Sequence, residues 1–433
     1  MAFLALAFVV DSPDVVFNGF LRIIQSRSIL ITDYVALGGM GATLLNVSIV
    51  GFSSLMMLLS LGLKPTGPNI MALWLSIGFA FFGKNVFNMI PLTFGVWLFA
   101  KYRKEDFSRF CLSALLAATV SPAISEMAFM GLFSRSIEIT IGVLLGFLIG
   151  FFFPAIAADS VKVHSGFNLY NMGFAGGLVA TILATLFRSL GFNIVSATHW
   201  SSGNNVFFAT LLYSIAFVLL VLGFLTKGDP RPNAEPATDP PAPPAPAEKL
   251  TLMERMRRNV DDYLEIHKYS GQLVTDYHQM IGNRIFINMA VLCAFSTSVV
   301  LILEADLNGP TLAGILTITG FGSLGKHLRN VAPVMMGAAL SAYVNKWDPT
   351  SPSNILAILF STGLAPIGGL FGWTWGVAAG FLHVNVATYI GDLNGGLNLY
   401  NNGFAATFVV LFLLPVITVV KKEDYFKKDN KYR

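Results

Sequence analysis

The segments GFNLYNMGFA at residues 166–175 and GLNLYNNGFA at residues 396–405 are two copies of one motif. In each copy two carboxamides and a phenol open a segment that is otherwise apolar, and glycines flank them. Chance similarity between apolar segments would produce matches of Leu, Val and Ala, whereas these matches fall on Asn, Tyr and Gly. The motif therefore indicates an internal duplication.

The duplication extends along the chain on the N-terminal side of both motifs. At spacings of 242 and 243 residues the matches again fall on polar residues, glycine and proline, namely Asp33 with Asp276, Asn46 with Asn288, Gly83-Lys84 with Gly325-Lys326, Asn88 with Asn330, and Pro91 with Pro333. The sequence thus predicts two homologous repeats, 20–190 and 263–420.

The composition is that of a membrane protein. Of the 433 residues, 54% are hydrophobic and 12% are charged, whereas soluble domains have about 25% charged residues. The charges concentrate in 227–268 and in the basic tail 421–433. A soluble enzyme, a nucleic-acid-binding protein and a disordered scaffold are excluded. Because a bilayer offers backbone groups no partner, we predict an all-α polytopic fold with about 11–13 membrane segments, some of them broken or re-entrant.

The remaining boundaries follow from composition. Residues 230–246 contain eight of the twenty prolines, and a charged amphipathic helix that we expect at the membrane surface follows them. The predicted divisions outside the repeats are an N-terminal segment 1–19, a connecting transmembrane helix 191–226 without a copy, the linker 227–268 and the tail 421–433.

Charge asymmetry between equivalent loops predicts the orientation of the repeats. The loop 101–109 is rich in basic residues, whereas its copy 345–354 carries one. If the basic loop, the linker and the C-terminus are cytoplasmic, the two repeats have inverted topology, with the helix 204–226 reversing the second. The predicted location is the cell (inner) membrane.

The repeated NLYN motif is the strongest candidate for a solute site. Broken helix ends that line a cavity are where transporters bind their substrates, and amides and phenols both donate and accept hydrogen bonds. The alternative is that these side chains cap helices or bond to neighbouring helices. The candidate residues are Asn168, Tyr170, Asn171, Asn398, Tyr400 and Asn401.

A second motif, G-K-x-x-x-N, contributes Lys84 and Asn88 and the matching Lys326 and Asn330. A lysine at the bilayer centre costs roughly 2.5–3.5 kcal/mol on insertion scales, so it faces a polar cavity or is paired. Two such lysines related across the midplane suit an anion site. The alternative is that they lie at the interface and reach the headgroups.

The third motif is Thr-Asp-Tyr, with Asp33 and Asp276. Each aspartate precedes a long apolar segment, where it could serve as a helix N-cap. The functional alternatives are an ion pair of Asp33 with Lys84 and of Asp276 with Lys326, or a coupling-ion or proton site.

Unpaired polar residues support a rival hypothesis of a different class. Asp159, His164, His199 and Asp392 could serve an intramembrane enzyme that acts on a lipid-linked or apolar substrate. Neither Cys111 nor Cys293 has the spacing of a metal site, and no nucleotide motif occurs. We therefore expect no metal, no cofactor and no enzymatic activity.

The stretches GKHLRNVAP (325–333) and GDLNGGLNLYNNGFA (391–405) resemble a family of bacterial multi-pass membrane proteins known as a domain of unknown function. The resemblance covers about 20–420 and implies a bacterial cell-membrane protein. A remoter likeness is to the urea-transporter and ammonium-channel superfamily, also built from inverted repeats, in which the two lysines would be foreign to a neutral urea pore. We predict a transporter or channel for a small polar or anionic solute. Its predicted surroundings are the lipid bilayer, no nucleic-acid partner is expected, and a homo-oligomer is compatible with the sequence.

Overall fold

The computed structural model describes residues 2–192, 194, 198–225 and 251–421. Within these ranges the chain is helical, with isolated bridges and no β-strand. The proline-rich stretch 230–246 and the tail 422–433 lie outside the described residues.

The first repeat contains ten α-helices. In chain order they are α1 (Ala2–Val10), α2 (Pro13–Ile24), α3 (Tyr34–Gly38), α4 (Met40–Ser60), α5 (Gly67–Phe79), α6 (Val86–Arg103), α7 (Cys111–Ala117), α8 (Ser121–Ala128), α9 (Arg135–His164) and α10 (Asn171–Ser189). Helices α7 and α8 are joined by a short 3₁₀ turn and belong to one segment, Phe107–Ala128.

Among the described residues, the second repeat has ten α-helices in the same order. They are α11 (Asn205–Leu225), α12 (Leu252–Glu265), α13 (Tyr277–Ile281), α14 (Ile285–Ile302), α15 (Gly309–Phe321), α16 (Leu328–Val344), α17 (Pro352–Phe360), α18 (Ala365–Phe371), α19 (Trp373–Leu393) and α20 (Asn401–Lys421). Helix α11 packs on α14 as the shorter α1 packs on α4. The helix for which the sequence showed no copy therefore has a structural counterpart at the N-terminus.

The chain is a multi-pass membrane protein. Eight of the helical segments within the described ranges are long and apolar enough to cross a bilayer, or nine if α1 and α2, bent by 113°, form one span. The other predicted segments correspond to helices that are shorter or more polar, such as α15. These include the helices on either side of two polar turns, residues 80–85 (the first break) and residues 322–327 (the second break).

Helices α5 and α15 show how the repeats are related. Gly67 of α5 lies beside Ser323, and Gly309 of α15 lies beside Phe81, so the two equivalent helices run antiparallel with reciprocal contacts. Such reciprocity is that of a two-fold axis perpendicular to both helices, as inverted repeats require.

A second reciprocal crossing lies between α10 and α20. A Cβ atom on Gly173 would lie 3.1 Å from the Cα of Gly403, and one on Gly403 would lie 2.9 Å from the Cα of Gly173. The close approach explains why the glycine that follows NLYN occurs in both copies. It brings the two NLYN motifs together at the centre of the molecule.

Candidate functional site

The first break is held by its own asparagines. The side chain of Asn85 caps α6 by accepting from the backbone N–H groups of Phe87 (3.0 Å) and Asn88 (3.1 Å). Asn88 returns the contact, accepting from the Asn85 N–H at 2.9 Å, and donates to the Gly83 carbonyl at 2.9 Å. The turn that contains Lys84 is therefore closed by a reciprocal cap.

The second break uses a histidine in the same role. The Nδ1 of His327 accepts from the Asn330 N–H at 3.3 Å, and the Asn330 side chain accepts from the His327 N–H at 3.0 Å. Asn330 also donates to the Gly325 carbonyl at 2.9 Å. In this conformation Asn88 and Asn330, which the sequence placed among the solute-binding residues, hold the turns around the two lysines.

Two further asparagines brace the breaks from a neighbouring helix. Asn46 on α4 donates to the carbonyls of Ala80 (2.7 Å) and Lys84 (3.0 Å). Asn288 on α14 donates to those of Gly322 (2.7 Å) and Lys326 (2.8 Å). We did not predict these roles, although the signal was present in a matched asparagine within a long apolar segment of each repeat.

The first asparagine of each NLYN motif links the repeats. Asn168 accepts from the Tyr170 N–H at 2.9 Å and donates to the carbonyl of Gly403 (2.7 Å) and the hydroxyl of Thr407 (2.9 Å). Asn398 accepts from the Tyr400 N–H at 3.1 Å and from the Thr119 hydroxyl. It donates to the Gly173 carbonyl at 3.0 Å. Both side chains are buried and bonded within the protein, as the alternative of interhelical bonding describes.

The last asparagine of each motif bonds within its own repeat. Asn171 donates to the Ala157 carbonyl at 2.9 Å and lies 3.0 Å from Nε2 of His164. Asn401 accepts from the side chain of Asn394 at 2.6 Å. These contacts fasten the starts of α10 and α20 to the preceding segments.

The predicted ion pairs of Asp33 with Lys84 and of Asp276 with Lys326 are wrong, since neither pair occurs among the salt bridges of the described residues. Asp33 accepts from the Val35 N–H (2.9 Å) and, across the repeats, from the Gly309 N–H (3.2 Å). Asp276 accepts from the Gln279 N–H (3.0 Å) and the Gly67 N–H (3.1 Å). Each aspartate thus supports the first turn of a helix in the opposite repeat.

Both lysines are buried, with 1% exposure for Lys84 and 0% for Lys326. The ammonium of Lys84 donates to the Ser76 hydroxyl at 3.1 Å and to the Leu115 carbonyl at 3.2 Å. That of Lys326 donates to the hydroxyls of Tyr170 and, at 2.8 Å, Thr362. No carboxylate of the described residues lies within ion-pair distance of either lysine.

The two NLYN tyrosines contact each other. The rings of Tyr170 and Tyr400 have centroids 4.4 Å apart, and Tyr170 also lies under the ammonium of Lys326 at 4.2 Å. Tyr170 packs on Phe321 at 5.2 Å, as Tyr400 packs on Phe79 at 5.3 Å. The structure therefore brings Lys326, Tyr170 and Tyr400 of the predicted site together and places the aspartates elsewhere.

Helix N-termini and two buried lysine side chains surround this centre. Four helices, α6, α16, α10 and α20, begin at the breaks or at the NLYN motifs, and helix N-termini carry partial positive charge. The C-terminal ends of α5 and α15 offset part of this potential. The two buried lysine side chains, which have no carboxylate partner among the described residues, add to the positive potential of the helix N-termini.

The residues of the enzyme hypothesis have separate partners. Asp159 is exposed and pairs with Lys162, while His164 contacts Asn171. His199 joins residues 31–33 through its backbone, and the carbonyl of Asp392 accepts from Arg188 at 2.6 Å. The described residues contain no group of three His, Cys, Asp or Glu placed to hold a metal ion.

The profile of one protein family, described as "Protein of unknown function (DUF1576)", matches residues 12–189 and 256–419. The chain belongs to this DUF1576 family. The match covers both repeats, so the duplication is a property of the DUF1576 domain as it occurs here. No curated protein and no solved structure matches the chain, and the likeness to urea transporters and ammonium channels finds no support in these comparisons.

Proposed function

We propose that this DUF1576 protein is a membrane transporter or channel for a small polar solute, specifically an anion, that binds between the two repeats. The observation that carries the proposal is the pair of buried lysines, one after each helix break, with no carboxylate partner among the described residues. An ionisable residue inside a membrane domain is costly and marks a functional site by default.

The arrangement of the lysines supports transport over a purely structural role. A structural lysine in an apolar core is expected to carry a counter-ion, because an unpaired buried charge is strongly destabilising. Here the charge occurs twice, in repeats that contact reciprocally, and beside broken helices. This is the arrangement that secondary transporters use around a central substrate site.

Flux measurements in proteoliposomes test the proposal. Labelled acetate, phosphate and chloride are compared with urea and ammonium in vesicles that contain the wild-type protein, Lys84→Met or Lys326→Met. We expect uptake of at least one anion, reduced about tenfold or more by at least one of the two substitutions, since a buried charge–anion contact contributes on the order of 1.5–3 kcal/mol. Lys162→Met, which removes an exposed lysine of α9, is the matched control.

Stability separates loss of function from loss of fold. Replacing a buried charge by an apolar side chain of similar volume is often neutral or stabilising, so both methionine variants should unfold at or above the wild-type temperature. Wild-type vesicles that take up none of the anions, or methionine variants that retain full uptake, contradict the proposal.

The intramembrane enzyme is the alternative from another class. It predicts that His164→Ala abolishes turnover of an apolar substrate. The transporter proposal predicts that this substitution affects anion flux less than the more damaging of the two lysine substitutions does.

A further inference from the structure

The two lysines occupy equivalent positions but have different neighbours. Lys326 donates to the hydroxyls of Tyr170 and Thr362, and Tyr170 is itself bonded to Thr362 at 2.8 Å. A tyrosine, a lysine and a threonine thus form a closed triangle on this side of the centre. All three are buried.

The equivalent of Thr362 in the first repeat is Ala118. The Leu169 N–H of the first NLYN motif donates to the Gly363 carbonyl at 2.9 Å, and the Leu399 N–H of the second motif donates to the Thr119 carbonyl at 2.8 Å. Gly363 therefore corresponds to Thr119, and the preceding residues, Thr362 and Ala118, correspond as well. The first repeat lacks the hydroxyl that bridges lysine and tyrosine in the second.

The triangle around Lys84 is accordingly open. The Tyr400 hydroxyl is buried and makes no hydrogen bond of ordinary length and angle to any residue in the described part of the chain. The hydroxyl of Tyr170, whose ring packs against that of Tyr400, already contacts Thr362 and Lys326. Lys84 instead contacts Ser76, where the second repeat has Ile318, and the Leu115 carbonyl, one turn before Ala118.

We propose, resting on the transport function above, that the solute is a short monocarboxylate bound on the Lys84 side, with one carboxylate oxygen in the place that the Thr362 hydroxyl takes on the other side. This oxygen accepts from the Lys84 ammonium and from the Tyr400 hydroxyl. On the other side, the Thr362 hydroxyl already completes the hydrogen-bonded triangle of Lys326 and Tyr170, so no solute is needed there.

The surroundings of Tyr400 select for this class of anion. A single ammonium balances one negative charge, which disfavours divalent phosphate or sulfate in a buried site. The rings of Phe79, Phe360 and Tyr170 lie 5.3, 5.6 and 4.4 Å from that of Tyr400. These aromatic walls suit the apolar carbon of a short organic acid better than a fully hydrated inorganic ion.

The test compares the two sides directly. Dissociation constants for acetate and propionate are measured by thermal shift on the purified full-length protein, for wild type, Tyr400→Phe, Tyr170→Phe and Ala118→Thr. We expect Tyr400→Phe to weaken propionate binding about tenfold, because it removes a hydrogen bond to a charged group, and Tyr170→Phe to weaken it less.

Ala118→Thr is the most specific variant, because it supplies the missing hydroxyl and builds the second triangle. We expect it to weaken propionate binding at least as much as Tyr400→Phe while raising the unfolding temperature without solute. Equal effects of the two tyrosine variants, undiminished binding in Ala118→Thr, or stabilisation by sulfate in place of propionate would each overturn the inference.

The outcomes also distinguish this inference from the proposed function. If anions are transported but depend on Tyr170 and not on Tyr400, the transport function stands and the inference about the Lys84 side fails. If no anion binds or crosses the membrane, both fail.

Discussion

Asp33 and Asp276 occupy equivalent positions, and comparing them shows what the duplication has kept and what it has changed. Each supports the first turn of a helix in the other repeat, Gly309 for Asp33 and Gly67 for Asp276. Asp33 is fully buried and also accepts from Ser201, whereas Asp276 is only half-buried. The contacts between repeats are kept, while their surroundings have diverged.

The repeats differ more strongly in the contacts that hold the loop before the Thr-Asp-Tyr motif against the rest of the repeat. In the first repeat Arg27 forms a bidentate pair with the buried carboxylate of Glu126 on α8. In the second repeat Ser270 and Leu370 take the places of Arg27 and Glu126. A Cβ atom on the neighbouring Gly369 would lie 2.3 Å from the Ser270 carbonyl oxygen, so direct backbone packing replaces the ion pair. One loop is held by charge and the other by close contact.

Breaking the Arg27–Glu126 pair should have the largest effect on stability. Arg27→Ser leaves a buried carboxylate without its partner, and we expect the free energy of unfolding to fall by about 3 kcal/mol. The double variant Arg27→Ser/Glu126→Ala brings the first repeat closer to the second. Thermal unfolding in detergent should show the double variant to be more stable than Arg27→Ser alone, and the opposite order would contradict this account.

Replacing the two aspartates should have the next largest effect on the free energy of unfolding. Asp33→Ala leaves the buried N–H of Gly309 and the partly buried N–H of Ser201 without their acceptor, so we expect a loss of about 2–3 kcal/mol. Asp276→Ala should cost about 1 kcal/mol, the usual contribution of a helix cap. The two unfolding temperatures measured side by side test the comparison. An equal loss in both variants would show that the burial of Asp33 is irrelevant.

The linking asparagines should behave alike. Asn168→Ala and Asn398→Ala each remove one acceptor and one or two donors across the centre, and we expect each to cost about 2 kcal/mol. Unfolding temperatures that differ clearly between the two would mean that the NLYN motifs are not equivalent supports. Asn171→Ala, which acts within one repeat, should cost less.

Much of this organisation could be predicted from the sequence. The duplication and the polar breaks follow from asparagine, glycine and lysine in otherwise apolar segments, and the family match and the helices agree with them. The partners of those residues could not be predicted, because they lie in the other repeat. Asp33 bonds to Gly309, 276 residues away, and Asn168 bonds to Gly403, 235 residues away.

The difference between the surroundings of the two lysines could not be predicted from the sequence either. Thr362 and Ala118 are unremarkable residues in apolar segments, and their equivalence emerges only from the backbone bonds of Leu169 and Leu399. A pairing of Asp33 with Lys84 was the simplest expectation from charge alone. It was wrong because helix N-termini provided the aspartates with partners in the other repeat.

The smallest predicted effect concerns pH and a histidine found in only one repeat. His267 follows α12 and occupies the position that Ile24 has in the first repeat. Burial lowers the pKa of His267, and the charge of Arg329 lowers this pKa further, against the hydrogen bond to the Tyr263 carbonyl. The unfolded chain therefore takes up this proton at a higher pH than the folded protein does.

It follows that protonation of His267 favours unfolding, so its contribution lowers stability as the pH falls through about 6.5, the ordinary pKa of histidine. His267→Ile, which gives the second repeat the residue of the first, should reduce the difference in unfolding temperature between pH 7.5 and pH 5.5. Among the described histidines, His327 is the one whose ring contacts that of His267, with centroids 4.7 Å apart, so the difference between the two proteins reports on His267 together with this contact. An unaltered pH dependence would show that His267 takes up its proton equally well in both states, and that the second repeat tolerates its histidine for a reason unrelated to charge.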